Sequence, residues 1–162
     1  KQCVHCGEEK NMGKDYMNAI TQGVYVIGAK NGEKKNLMTA AWLTQISSRP
    51  NQILVAVSAG HYTAEMLQNN AHFTISVLAK GQEEAAKACG FVSGRNAEKT
   101  ELVACIYDEK DCPIVKDSAA YMICEVNKVY QLGDHVLFAA EVLDGENSGK
   151  EPMVYHKADF FG

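Results

Sequence analysis

Apolar residues come along this chain in short runs of about five to eight, broken by polar stretches carrying Gly, Asn or Pro, a spacing that predicts strands more often than helices. "VYVIGA" predicts a strand, and "KNGEKKN" places a hairpin signal at Asn31-Gly32, so Leu37 to Ser47 is expected to pair back as one long strand. Arg49-Pro50-Asn51 turns the chain into "QILVAVS", apolar enough to predict burial on both faces. "HFTISVLA" carries β-branched alternation, "LVACIY" is a short strand, and Ala119–Tyr130 and His135–Leu143 are two long strands joined across "QLGD". "EPMVYHKADFF" is expected to close the chain as one more strand. Helical spacing is confined to Asp15–Gln22 with Gly23 as its stop, to a short helix capped by Thr63 and ending at Asn69-Asn70, and to "GQEEAAKACG", closed by Gly90. Six or seven strands that do not alternate with these helices argue against a doubly wound parallel sheet and for a closed or partly closed antiparallel barrel.

Composition narrows the classes of partner. The 162 residues, 46% of them apolar, suit one domain over residues 15–162, preceded by a polar extension over residues 1–14. A net charge of −4 with scattered Lys and Arg argues against nucleic acid, whose phosphates need clustered cations. No apolar run approaches the ~20 residues needed to span a bilayer, and no signal peptide is visible. Cys89, Cys105, Cys112 and Cys124 stand singly in apolar or mixed surroundings, which reads as reduced thiols of a cytoplasmic protein.

One stretch departs from the pattern of a core strand. In "NLMTAAWLTQISS", Met38, Ala40, Trp42, Thr44 and Ile46 alternate with Thr39, Ala41, Leu43, Gln45 and Ser47, and neither set is a clean apolar stripe. Small side chains let a flat ligand approach the backbone amides, although a half-exposed strand beneath a helix carries the same pattern. Ser58, His61 and Thr63 surround the turn "AGHYT" at a helix start, where free N–H groups and the helix dipole suit an anion; a plain Thr63 cap facing water is the alternative. "GFVSGRNAEK" adds a tight turn at Gly94, a hydroxyl at Ser93 and cations at Arg95 and Lys99, equally readable as a generic basic loop. "CVHCG" has the knuckle spacing of a zinc or iron site, with Cys3 and Cys6 as half of a ligand set to be completed elsewhere, or as an incidental or redox-active thiol pair. No Ser/His/Asp order or paired carboxylates suggest a hydrolase, so no acid, base or nucleophile is assigned.

"ITQGVYVIGAKNG", "MTAAWLTQISSRP", "FTISVL", "CGFVSGRNAEK", "GDHVLFAAEV" and "PMVYH", in that order, resemble the flavin-reductase-like FMN-binding split-barrel proteins, the group that includes ferric reductase and flavoredoxin. The resemblance runs from Asn18 to Gly162 and implies a mostly β fold, a six-stranded antiparallel split barrel with a few short helices, dimerising with FMN near the subunit interface. It implies that Met38, Thr39, Ala40, Ala41 and Trp42 line the flavin ring, that Ser58, His61 and Thr63 hold the ribityl phosphate, and that Phe91, Ser93 and Lys99 close the site or meet the nicotinamide donor. His135 and His156 match positions on the dinucleotide side. The family often has Asn where Ala41 stands and Asp-Lys-Phe where Glu98-Lys99-Thr100 stands, and "CVHCG" lies outside its pattern.

The implied activity is an NAD(P)H-dependent flavin or ferric reductase, in which the flavin carries the chemistry and the protein supplies a slot, ring-edge donors and a phosphate anchor. The rival readings are a flavoredoxin-like FMN carrier reduced by a redox-protein partner, and a flavin- or haem-binding barrel without turnover.

Overall fold

The computed structural model describes residues 14–161. After a 3-10 turn at Tyr16–Ala19 come β1 (Tyr25–Asn31), β2 (Lys34–Ala40), β3 (Leu43–Ser48), β4 (Asn51–Ser58), α1 (Tyr62–Asn69), β5 (His72–Val77), α2 (Glu83–Gly90), β6 (Cys105–Tyr107), β7 (Pro113–Val115), β8 (Ala120–Leu132), β9 (His135–Asn147) and α3 (Lys157–Phe161). Seven strands form one antiparallel sheet in the order β2-β1-β5-β8-β9-β4-β3, and β6 and β7 make a separate ribbon.

The strand expected over Leu37–Ser47 is two strands, and this corrects the six-stranded barrel. β2 pairs with β1 up to Tyr25↔Ala40, whereas β3 pairs with β4 from Leu43↔Val55. The two lie at opposite edges of the sheet, yet only Ala41 and Trp42 separate them in the chain. The three Cα–Cα steps from Ala40 to Leu43 span at most about 11 Å, so the sheet must curl until its edges approach each other at that corner. Beyond the corner β2 and β3 do not pair, so the barrel is split rather than closed, with seven strands in its wall and a ribbon outside it. The amide of Ala56 holds the corner, donating to the Trp42 carbonyl at 2.9 Å.

Inside the curl, Ile27, Met38, Ile53, Val55, Val57, Phe73, Ile75, Val136 and Phe138 pack with Ala64, Met66 and Leu67 of α1, which plugs one end. A second core, with Val24, Val26, Leu37, Leu78, Ala86, Cys89 and Val115, lies between the outer face of β1 and β2 and α2. The strand buried on both faces is β5, not β4. In β4 only Ile53, Val55 and Val57 are buried while Leu54, Ala56 and Ser58 are half-exposed; β5 is buried from His72 to Ser76. The ribbon covers the outside of β5 and uses its hydroxyls: Thr74 Oγ1 donates to the Pro113 carbonyl at 2.6 Å, and Ser76 Oγ accepts from the Val115 amide at 2.9 Å. At Gly28 in β1 a Cβ would stand 2.1 Å from the Pro113 carbonyl oxygen, so only glycine lets the ribbon lie so close.

Two local expectations also change. Asp15–Gln22 forms one 3-10 turn with no buried residue, too little apolar surface to hold a full helix. "EPMVYHKADFF" makes two isolated bridges, Ala79↔Pro152 and Gly23↔Val154, and ends in α3 rather than a strand.

Candidate functional site

The outer face of β4, together with the β2–β3 corner, forms the floor of a groove of about 960 Å³. Ala41, Trp42, Leu43 and Thr44 line it from the corner, Leu54 and Ala56 from β4, Met17, Ile20 and Tyr25 from the N-terminal turn and β1, and Tyr155, His156 and Lys157 from the C-terminal segment. The walls are apolar and the rim polar, which suits a planar ligand with a polar edge. The amides of Ala41 and Trp42 make no hydrogen bond among the described residues, because the chain there has left β2 and not yet entered the β3 ladder. Two free donors at a half-exposed apolar wall are the chemical content of the corner.

The residues expected from the sequence fall into three places. Ala41, Trp42 and His156 meet at the groove, and His135 joins them because its imidazole stacks on the Trp42 indole, centroids 4.4 Å apart and planes 28° apart. His135 is set there by the tight Gly133-Asp134 turn, with Gly133 at φ 59°, and by its register opposite half-exposed Ser58 at the end of β4. His135 Nδ1 donates to Asp134 Oδ1 at 2.6 Å, and that hydrogen bond holds the Asp134 carboxyl below the usual carboxylate range. Ala40, at the end of β2, is half-buried beside the corner.

The second place is the start of α1. His61 is its N-cap residue and Thr63 lies inside the first turn, so Thr63 is not the cap. His61 is exposed and its Nδ1 lies 3.2 Å from Sδ of buried Met38, whereas Thr63 is buried and its hydroxyl accepts from Asn36 Nδ2 at 3.1 Å.

The third place surrounds the end of α2. The Thr39 hydroxyl donates to the Ala86 carbonyl at 2.7 Å, Phe91 tilts against Phe161, and Ser93 Oγ accepts from the Arg95 amide at 3.2 Å. Lys99 is only 3% exposed, and its Nζ donates to the Cys89 carbonyl at 2.7 Å. Burial pushes the Lys99 ammonium down and the Cys89 thiol up to about 12. β2 connects the three places: Met38 faces α1, Thr39 faces α2, and the strand runs out into the groove.

Sequence reasoning missed Asn36. It is 2% exposed, its Oδ1 has no hydrogen-bond partner among the described residues, and it lies under Gly94, where a Cβ would stand 2.2 Å from that oxygen. The one available signal is alternation, which puts Asn36 on the same face of β2 as Met38. Also missed is the clamp on Tyr62, whose ring is flanked by the Arg95 guanidinium (4.7 Å) and Lys34 Nζ (5.7 Å), while Arg95 pairs with Glu65. Cys3 and Cys6 lie outside the described residues. Cys89, Cys105, Cys112 and Cys124 are free thiols. No helix among the described residues is long and apolar enough to cross a membrane.

Residues 17–162 match the family described as "Flavin reductase like domain". The chain belongs to that family. Among relatives of the flavin reductase like domain, the high molecular weight rubredoxin of Moorella thermoacetica is 32% identical over 142 residues, covering 86% of this chain and 62% of the relative. A putative oxidoreductase of Sinorhizobium meliloti superposes with a TM-score of 0.83 at 26% identity, covering 93% of this chain and 52% of that one. A Streptomyces globisporus NADH:FAD oxidoreductase, solved with NAD and FAD fragments, gives a TM-score of 0.81 at 25% identity, covering 91% and 88% of the two chains. The chain spans less than two thirds of the length of the curated relatives it matches first.

Proposed function

We propose that this flavin-reductase-like domain binds FMN in the groove at the β2–β3 corner and works as an NAD(P)H-dependent flavin or ferric reductase. The observation that carries the reading is the corner itself: two amides, at Ala41 and Trp42, without a partner among the described residues, beside an apolar wall of Leu54 and Ala56. The residues fit the group. The small side chains of Ala41 and Ala56 leave room for a flat ring over the sheet, and the two amides offer donors to its polar edge. Ser58, His61 and the first turn of α1 supply polar groups for a phosphate tail. Bound FMN would supply hydride acceptance and one- or two-electron release. The chain's own residues bind, orient and shield; no acid or base is required of them.

Beside the groove, the outward face of β4 continues in register onto β9 and β8. In register, Ala56, Leu137 and Tyr130 form one outward row, and Ser58, His135 and Leu132 form the next. Tyr130 and Leu132 are about half exposed (46% and 59%), and no element of the described chain covers them. A second copy of the chain on this face would close the groove, which supports a homodimer.

A second reading has its own support. The relatives named a high molecular weight rubredoxin and a putative diflavin flavoprotein are longer than this chain, which covers 62% and 27% of them. That arrangement suits a flavoredoxin-like FMN carrier that receives electrons from a redox-protein partner.

Anaerobic stopped-flow mixing of the FMN-loaded protein with NADH and with NADPH tests the choice. Rapid loss of flavin absorption at ~450 nm with either supports the reductase. Slow loss with both, and fast loss with a reduced rubredoxin, supports the carrier. Failure to take up FMN at all removes both.

A further inference from the structure

Tyr25 opens β1 and lines the same groove as Ala41 and Trp42. It stands across the β1–β2 ladder from Ala40, the residue just before the two corner amides, and across the β1–β5 ladder from Val77. Alternation along β1 puts Tyr25 on the face of Ile27 and Ala29, and its ring packs against the inner core, as Ala40 and Leu43 also do. A glycine makes room for that ring. A Cβ at Gly23, which lines the groove as well, would stand 2.5 Å from Tyr25 Oη and 2.7 Å from Cζ. Only a residue without a side chain lets the phenol lie so close to the chain there. Gly23 is itself held by its bridge to Val154. The hydroxyl so placed has no hydrogen-bond partner among the described residues, and burial pushes the phenol above the ordinary tyrosine range with no neighbouring charge contributing. It is therefore a neutral O–H donor that the fold does not use. A phenylalanine would fill the same wall, so the hydroxyl is the part of Tyr25 that packing leaves unexplained.

We propose that Tyr25 is a further binding residue for the flavin, its hydroxyl donating to a carbonyl oxygen on the polar edge of the ring. This rests on the reading of the groove as an FMN site and adds a side-chain donor to the backbone amides of Ala41 and Trp42. The addition bears on selectivity. An apolar wall accepts any flat ring of the right size, whereas a half-buried hydroxyl disfavours a ring that leaves it without an acceptor. The ring carbonyls of a flavin supply that acceptor. Because the phenol is already held between the inner core and Gly23, little further ordering is needed to make the contact.

The test measures FMN affinity of the full chain by quenching of flavin fluorescence, at neutral pH and with no electron donor present. Tyr25→Phe keeps the ring and removes the donor, and its Kd for FMN is expected to rise about fivefold to tenfold, the worth of one net hydrogen bond. Gly23→Ala keeps the donor and displaces it, and is expected to weaken FMN binding by at least a similar factor. The analogues 2-thio-FMN and 4-thio-FMN, in which sulfur replaces one carbonyl oxygen as a poorer acceptor, locate the contact. With one of the two, the parent and Tyr25→Phe are expected to bind within about twofold of each other, because the partner of the hydroxyl is already lost. Parental FMN affinity in Tyr25→Phe or in Gly23→Ala would overturn the contact. So would an equal loss in Tyr25→Phe for FMN and for both analogues. A parent protein that takes up no FMN would overturn the reading of the groove and this inference together, whereas FMN uptake that Tyr25→Phe leaves unimpaired would overturn the inference alone.

Discussion

Lys99 Nζ donates to the Cys89 carbonyl at 2.7 Å, beneath the last turn of α2. The bond caps a helix C-terminus with a cation, where the aligned peptide dipoles favour positive charge. It also explains how a lysine can be 3% exposed: its charge is spent on a carbonyl that would otherwise have no partner.

The first prediction concerns that bond. Lys99→Ala leaves the Cys89 carbonyl buried and unpaired, and should lower unfolding free energy by about 1–3 kcal/mol. Chemical denaturation gives the stability and flavin-fluorescence quenching gives FMN affinity. If Lys99 acts through α2, stability falls while FMN affinity changes little. A large loss of FMN affinity at unchanged stability would instead place its ammonium in the binding site.

The second prediction concerns the loop over Asn36. A Cβ at Gly94 would stand 2.2 Å from Asn36 Oδ1 and 2.8 Å from Nδ2, with the amide fixed from below by Thr63. Gly94→Ala must lift the loop or displace the amide, at a cost of about 1–3 kcal/mol. Lifting the loop separates Arg95 from Tyr62 and Glu65 as well. Hydrogen exchange should show faster exchange of the α1 amides in the variant, and an unchanged pattern would show that the loop and α1 are not coupled.

The hairpins were legible because their signals are local. Asn31-Gly32 marks the β1–β2 turn, and Gly133-Asp134 marks the β8–β9 turn that presents His135. The break between β2 and β3 was not, because Ala41-Trp42 carries neither Gly nor Pro. Its cause is global: the strand must leave one edge of the sheet and enter the other. The hydroxyls of β5 were similarly opaque, since their partners Pro113 and Val115 come 39 residues later. At the site, Ala41, Trp42, His135 and His156 were named from the sequence through family resemblance, and the fold brings all four to one rim. Asn36 was missed because its burial depends on α1 and the Gly94 loop together, which no window along β2 contains.

The third prediction follows from the buried thiols. Burial pushes Cys89, Cys112 and Cys124 up to about 12, from 9.0 for a free thiol. Between those values the folded state keeps protons that the unfolded chain releases, so stability must fall as pH rises above 9. At pH 10 each thiol accounts for about 1 kcal/mol of loss. Lys99 works in the opposite direction, because its lowered value makes the unfolded chain the better proton binder just below the ordinary lysine range. Urea unfolding at pH 7.5 and pH 10 should show the net loss, and Cys124→Val should make the slope shallower by about one proton's worth. An equal slope in that variant would show that Cys124 already ionises in the folded protein.

The fourth prediction tests the face beside the groove. Leu132 is 59% exposed, stands opposite His135 in the β8–β9 ladder, and belongs to the same outward row as Ser58. If a second copy covers this row, Leu132→Asp puts a charge into an apolar interface at small cost to the monomer, because the residue is exposed there. Light scattering coupled to gel filtration should then show the parent as a dimer of about twice 17.7 kDa and the variant shifted towards monomer. FMN affinity should fall in the same variant, since the outward row beside the groove, from Ala56 through Leu137 to Tyr130 in register, loses its cover with the partner. A monomeric variant with full FMN affinity would show that one chain completes the site, and a monomeric parent would remove the dimer altogether.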